Sequence, residues 1–131
     1  MKISFDLHGV IDDLPEVFQF ITSAIIQAGG EVHILTGSMT DIALKELNKL
    51  GYIKGTHFTH VQGIPDLLLE FGATVTGYHP EIGNPEFQKS SWEIAKAIYC
   101  SDNKINLHFD DTIAYEKYFI TPFARVLTKN K

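Results

Sequence analysis

The stretch Met1-Lys2-Ile3-Ser4-Phe5-Asp6-Leu7-His8-Gly9-Val10-Ile11-Asp12 decides how the rest of the chain is read. Ile3, Ser4 and Phe5 have the look of a buried strand, which stops at the acid Asp6 and turns sharply at Gly9. An unpaired carboxylate is expensive to bury, so an acid that closes an apolar strand belongs at the lip of a sheet, where ligands bind. Asp6 is therefore the first candidate site residue, and His8 stands two positions beyond it.

Outward from that strand, apolar runs alternate with helical patterns. Val17, Phe18, Ile21, Ala24, Ile25 and Ala28 recur at spacings of three and four, which predicts an amphipathic helix over 14–28. Asp13 can cap it, Pro15 suits its first turn and Gly29-Gly30 stop it. Further strands are predicted at 31–35, 58–62, 105–109 and 124–127. Helices are predicted from Thr40 or Asp41 to Gly51, over 64–71, and from Ser90 or Ser91 through Ile98, with one or two helical turns over 112–118. Between Gly72 and Phe87 the pattern dissolves: Thr74–Thr76 has the length of a short strand, but Gly77, Pro80, Gly83 and Pro85 mark a loop. Strands alternating with helices predict an α/β chain, a three-layer Rossmann-like fold around a mostly parallel sheet of about five strands. With no repeat, low-complexity segment or linker, residues 1–131 read as one domain.

Composition narrows the function classes. Hydrophobic residues at 44% and charged residues at 21% describe a globular chain, not a disordered one. A net charge of −5 without a Lys/Arg cluster argues against nucleic acid as a partner, because that needs a basic face. Apolar stretches fall far short of a membrane span, and no basic-then-apolar signal segment opens the sequence. The lone Cys100 excludes an intramolecular disulfide, and a cytoplasmic location is expected.

Three predicted strands end in reactive groups: Asp6 after the first, Thr36 after the second, and Asp110-Asp111 after the strand at 105–109. If the sheet brings these strand ends together, Asp6 with Asp110 and Asp111 makes a hard-oxygen site of the kind Mg²⁺ takes. The Thr36 hydroxyl and the amides of Thr36-Gly37, ahead of a helix, can hold an anion. Metal-assisted phosphate chemistry follows from that convergence; otherwise Asp110, Asp111 and Thr36 are helix caps and turn formers. The histidines at 57, 60, 79 and 108 are too scattered to define a transition-metal site, and His33 and His108 read as core or sheet-face residues.

These residues resemble the motifs of the haloacid dehalogenase (HAD) superfamily of phosphohydrolases. Asp6-Leu7-His8-Gly9-Val10-Ile11-Asp12 is similar to the first motif, a strand followed by Asp-x-Asp-Gly-(Thr/Val), in every position but one. Val32-His33-Ile34-Leu35-Thr36-Gly37 is similar to the second, an apolar strand ending in Thr or Ser. Lys89 matches the lone lysine of the third, ahead of the helix before the fourth motif, and Phe109-Asp110-Asp111 matches the closing acidic pair. Lys54 and Lys96 are rivals for the lysine's place, but Lys96 lies within the helix pattern and Lys54 follows a different helix.

The resemblance implies a magnesium-dependent phosphomonoester hydrolase. Asp6 would be the nucleophile, forming an aspartyl-phosphate. Thr36, Gly37 and Lys89 would bind the phosphoryl oxygens, Lys89 offsetting charge in the transition state. Asp6, Asp110 and Asp111 would hold Mg²⁺, with His8 contributing through its backbone carbonyl. The family's second Asp, the general acid and base, is replaced here by His8. Histidine is competent for proton transfer, and general acid–base help is worth roughly 10²–10⁴-fold. The alternative is a catalytically impaired phosphate-binding or scaffold protein, and a dehalogenase ranks below both because Asp110-Asp111 would have no task. No cap domain fits between Asp12 and Glu31 or between Thr36 and Lys89, although the 72–87 loop, with Tyr78 and His79, has the length of a modest lid. Such an open site implies a phosphorylated small molecule or a phosphoprotein as substrate, or a lid supplied by a homo-oligomer.

Overall fold

A computed structural model describes residues 1–128. Its centre is β1 (Lys2–Asp6), flanked on one side by β2 (Glu31–Thr36) and then β3 (His60–Gly63). Two later strands lie on its other side, β6 (Leu107–Asp110) and then β7 (Phe123–Arg125), and all four neighbouring pairs are parallel. The expected α/β architecture is therefore present, with a central sheet that is wholly parallel.

Helices cover both faces. On one, α1 (Pro15–Gln27) and α2 (Thr40–Lys49) pack Phe18, Ala43 and Leu47 against Ile3, Phe5, Val32 and Ile34. On the other, α3 (Ile64–Glu70) and α4 (Lys89–Asp102) pack Ile64, Leu67, Leu68, Ala95, Tyr99 and Cys100 around Leu35. Strand side chains alternate between faces. Phe5 thus points toward α1, stacked on Phe109 at 5.0 Å and edge-on to Phe18 at 5.7 Å. Its neighbours Ser4 and Asp6 point toward α4, where Ser4 meets Cys100 and Asp6 meets Lys96.

The sheet order places the functional region. The chain leaves β1 to build β2 on one side, while β6 occupies the other, so a crevice opens where the carboxyl ends of β1 and β6 diverge. The register pairs Ile3 with Leu107, Ser4 with His108 and Phe5 with Phe109, which brings Asp6 and Asp110 level at that edge.

Several sequence expectations shift. Residues 72–87 are not simply a loop: β4 (Val75–Tyr78) and β5 (Pro85–Phe87) form a separate antiparallel hairpin. Its turn is closed by His79 N–H donating to Asn84 and Gly83 N–H donating to His79, with Gly83 at φ +72°. The two strands pair with each other, so three- and four-residue strands survive beside glycines and prolines that mark breaks in the sequence. The strand expected at 58–62 begins at His60, the one expected at 105–109 is Leu107–Asp110, and the last is Phe123–Arg125. Among the described residues, no helix is long and apolar enough to cross a membrane.

Candidate functional site

The loop after β1 is shaped by one glycine. His8 is extended, and Gly9 takes φ +86°, a left-handed conformation natural only to glycine. A Cβ at Gly9 would also collide with the Asp111 carboxylate, so the loop closes against the β6 end because position 9 lacks a side chain. The Gly9 N–H donates to Asp12 at 2.7 Å, folding the loop back on itself.

Asp6, Asp110 and Asp111 converge here, with one carboxylate oxygen from each lying within 4.8 Å of the others. Asp6 and Asp110 are buried, and the ammonium of Lys96 lies between them, 3.0 Å from Asp6 Oδ1 and 2.9 Å from Asp110 Oδ2. His108 Nε2 is 2.8 Å from that same Asp110 oxygen, while its Nδ1 is 2.6 Å from Ser4 Oγ, which in turn lies 3.5 Å from Cys100 Sγ. The backbone N–H of Thr112 donates to the other Asp110 oxygen at 3.0 Å. Asp110 is thereby held from three directions, leaving Asp6 and Asp111 facing a cavity of about 210 Å³. His8, Gly37, Trp92, Lys96, Thr112 and Tyr115 contribute to its walls. The Tyr115 ring centre is 5.3 Å from Lys96 Nζ, and its hydroxyl accepts from Trp92 Nε1 at 3.1 Å.

The charges of this group are unbalanced. Burial would lower the Lys96 pKa, but the adjacent Asp6 and Asp110 carboxylates more than reverse that and hold it above the ordinary lysine range. Burial also opposes ionised Asp110; the hydrogen bond from His108 and the Lys96 charge overcome it and hold the carboxyl well below the usual range. Asp6 ends on the other side. Burial lifts it well above the carboxylate range, Lys96 pulls it down, and Asp110 raises it again. His108 is pushed down by burial, which favours the neutral ring. Lys96 is thus shared by two carboxylates, and of these Asp6 is the one left short of positive charge. The all-oxygen donor set of Asp6, Asp110 and Asp111 fits a hard divalent cation such as Mg²⁺.

The sequence candidates fare unequally. Asp6, His8, Gly37 and Asp111 line the cavity, and Asp110 lies directly behind it. The Thr36 hydroxyl is buried and accepts from Ser38 N–H at 3.2 Å, so Gly37 rather than Thr36 reaches the cavity wall. Lys89 is displaced. It begins α4 with its side chain 89% exposed, pairs with Glu93 at 3.6 Å, and borders a neighbouring cavity of about 360 Å³ beneath the hairpin. The lysine among the carboxylates is Lys96, two turns further along α4, which the helix pattern had set aside. Its signal was available: a lysine between Ala95 and Ala97 on a helix facing a sheet is buried only if acids meet it. Trp92 and Tyr115 also form cavity wall.

His8 is half-exposed and oriented by three neighbours: Nδ1 lies 3.0 Å from Asp12 Oδ2, and Nε2 lies 3.2 Å from Ser38 Oγ and 3.1 Å from Glu46 Oε2. A ring so placed can hold or pass a proton at the cavity mouth.

No family model, no curated protein and no solved structure matches this chain.

Proposed function

We propose that this chain is a Mg²⁺-dependent phosphomonoester hydrolase of HAD type, working through an aspartyl-phosphate on Asp6. The observation that carries the reading is the convergence of Asp6, Asp110 and Asp111 around a single lysine at the carboxyl edge of β1 and β6. Asp6, Asp110 and Asp111 would hold Mg²⁺, with the His8 backbone carbonyl; the ion supplies charge that lets an anionic nucleophile meet an anionic substrate.

The chain's own residues then divide the work. An Asp6 carboxylate oxygen attacks phosphorus, the bond to the leaving oxygen breaks, and the phosphoryl group rests on Asp6. Lys96, not Lys89, takes the lysine's part: its ammonium keeps Asp6 oriented and offsets negative charge as the transition state forms. Gly37 and Thr112 border the cavity where phosphoryl oxygens would sit. His8 gives a proton to the leaving oxygen and later takes one from the water that attacks the aspartyl-phosphate. The cavity's modest size suits a phosphoryl group, with the remainder of the substrate lying toward the hairpin. A phosphorylated small molecule or phosphoprotein is the substrate class.

The test is hydrolysis of an aryl phosphate, with and without Mg²⁺, by the wild type, Asp6→Asn and His8→Asp. Mg²⁺-dependent turnover lost in Asp6→Asn supports the proposal, and turnover untouched by that change sinks it. The second reading, a phosphate-binding protein with impaired turnover, is favoured by one observation: both His8 nitrogens are already engaged. An inert wild type alongside an active His8→Asp variant selects it.

A further inference from the structure

The other end of β2 carries a second group of ligating side chains. Glu31 opens the strand, and His33 two residues later projects from the same face. On the adjacent edge strand, His60 is the direct cross-strand partner of His33. Two residues spaced i, i+2 and a third directly opposite place three side chains over one patch of a sheet without help from any loop. His33 Nε2 lies 2.9 Å from Glu31 Oε1, His60 Nδ1 lies 3.8 Å from the same oxygen, and one ligating atom from each residue falls within 4.8 Å of the others.

We propose that Glu31, His33 and His60 form a binding site for Zn²⁺ or a closely similar first-row divalent cation at the amino edge of the sheet. Two imidazoles and a carboxylate are a nitrogen-rich donor set, which suits Zn²⁺ and not Mg²⁺ or Ca²⁺. It therefore differs in kind from the all-carboxylate group at the carboxyl edge. Glu31 pairs with Lys2 while Leu35 pairs with Asp6, so the Glu31 and Asp6 ends of the two groups lie four residues apart, roughly 13 Å along the strands.

One ligand is already oriented by a second layer. His33 is buried, and its Nδ1 lies 2.7 Å from the Tyr99 hydroxyl of α4. That contact sets the ring plane and leaves Nε2, the nitrogen facing Glu31, for the metal. With a cation on Nε2, the ring proton would sit on Nδ1, where the Tyr99 oxygen can accept it. The other imidazole adjusts. His60 stacks on His33 with centroids 4.1 Å apart and planes 7° from parallel, so its ring must tip for one ion to lie in both planes. It is half-exposed, and its Nδ1 is held by the hydroxyl of its neighbour Thr59 at 2.9 Å, a single local contact to give up. The fourth coordination position would fall to water. Lys2, 3.9 Å from Glu31 Oε2, is the resident competitor and is itself partly exposed.

This assignment stands independently of the phosphatase reading, and so does its test. Zn²⁺ is titrated calorimetrically into the wild type, His60→Ala, Tyr99→Phe and Asp111→Asn, all in excess Mg²⁺, with Co²⁺ absorption as a second readout. One Zn²⁺ per chain is expected, with Co²⁺ giving the visible bands of a nitrogen-ligated ion. His60→Ala, a change at a half-exposed position, should abolish both signals. Tyr99→Phe should weaken binding by about 10–100-fold, the effect of losing an orienting partner. Asp111→Asn should leave Zn²⁺ binding unchanged. No Zn²⁺ binding in the wild type, or binding that survives His60→Ala, overturns the proposal.

Discussion

The two faces of the central sheet are built from the same strands on opposite principles. Toward α1 and α2 the strands present Ile3, Phe5, Val32, Ile34, Leu107 and Phe109, an apolar layer closed by aromatic stacking. Toward α3 and α4 they present Ser4, Asp6, His33, His108 and Asp110, all buried, joined by hydrogen bonds to Cys100, Lys96 and Tyr99. The first face is stabilised by area removed from water, which has no direction. The second depends on partners being in place, because a buried polar group left unsatisfied is costly. Among the described residues, no buried side-chain nitrogen or oxygen lacks a hydrogen-bond partner, so the polar face is complete. Both the proposed catalytic group and the proposed Zn²⁺ site draw on that face.

The largest expected contrast comes from removing a single partner. Lys96→Met keeps most of the volume but leaves Asp6 and Asp110 buried without their cation. Such a loss costs about 3–5 kcal/mol, read by urea unfolding in metal-free buffer. Millimolar Mg²⁺ should recover part of it, and a larger part than it adds to the wild type, because a divalent cation returns the missing charge. An unfolding free energy unchanged by the substitution would show that the carboxylates do not depend on Lys96.

Ile34→Ala is the apolar counterpart, expected to cost about 2–5 kcal/mol through lost burial and the cavity left behind. The distinguishing feature is pH. The cost of Ile34→Ala should be the same from pH 6 to pH 10, and Mg²⁺ should not alter it beyond what it does to the wild type. A cost that varied with pH would mean that the two faces are coupled through the sheet.

Alkaline stability sharpens the comparison from the other side. Burial pushes the Cys100 thiol from about 9 up to about 11, and the Tyr99 hydroxyl from 10 up to about 12. Each folded-state value lies above its unfolded one, so the native state keeps protons that the unfolded chain releases. The stability linked to Cys100 is complete below pH 9 and is lost as pH rises through 11, and that linked to Tyr99 is complete below pH 10 and is lost as pH rises through 12. At full thiol ionisation the loss from Cys100 is about 2–3 kcal/mol. Cys100→Ala should remove the part that begins near pH 9 and leave the later part due to Tyr99. Chemical denaturation at intervals of half a pH unit resolves the two.

How far the sequence reveals this division depends on which geometric variable is needed. Strand and helix positions follow from periodicity, and the convergence of Asp6 with Asp110 and Asp111 follows once parallel strands are aligned at their carboxyl ends. Alternation of Ser4 and Asp6 with Ile3 and Phe5 even identifies the polar face. What periodicity does not encode is how far a helix slides along the sheet. Lys89 and Lys96 are seven residues apart and share a stripe of α4, so the pattern treats them alike; they differ by about 10 Å along the axis. The contact of Cys100 with Ser4 sets the slide, which brings Lys96 level with Asp6 and carries Lys89 past the sheet edge. The pairing of His33 with His60 was hidden for a related reason, since it needs the register between β2 and β3.

The smallest expected effect, and the sharpest discrimination between the two lysines, comes from Lys89. Lys89→Met removes an exposed i, i+4 ion pair with Glu93, a contact worth about 0.3–0.5 kcal/mol. Its unfolding midpoint should barely move, and its affinity for Mg²⁺ should equal that of the wild type, whereas Lys96→Met changes both. Because Lys89 borders the neighbouring cavity beneath the hairpin, any effect on aryl phosphate hydrolysis should appear in KM and leave kcat intact. A fall in kcat comparable to that of Lys96→Met would mean that α4 shifts by two turns when substrate binds. Such a shift would break the Ser4–Cys100 and Lys96–Asp110 contacts together, so it would also expose Cys100 to thiol reagents. Absence of thiol labelling under turnover conditions then excludes it.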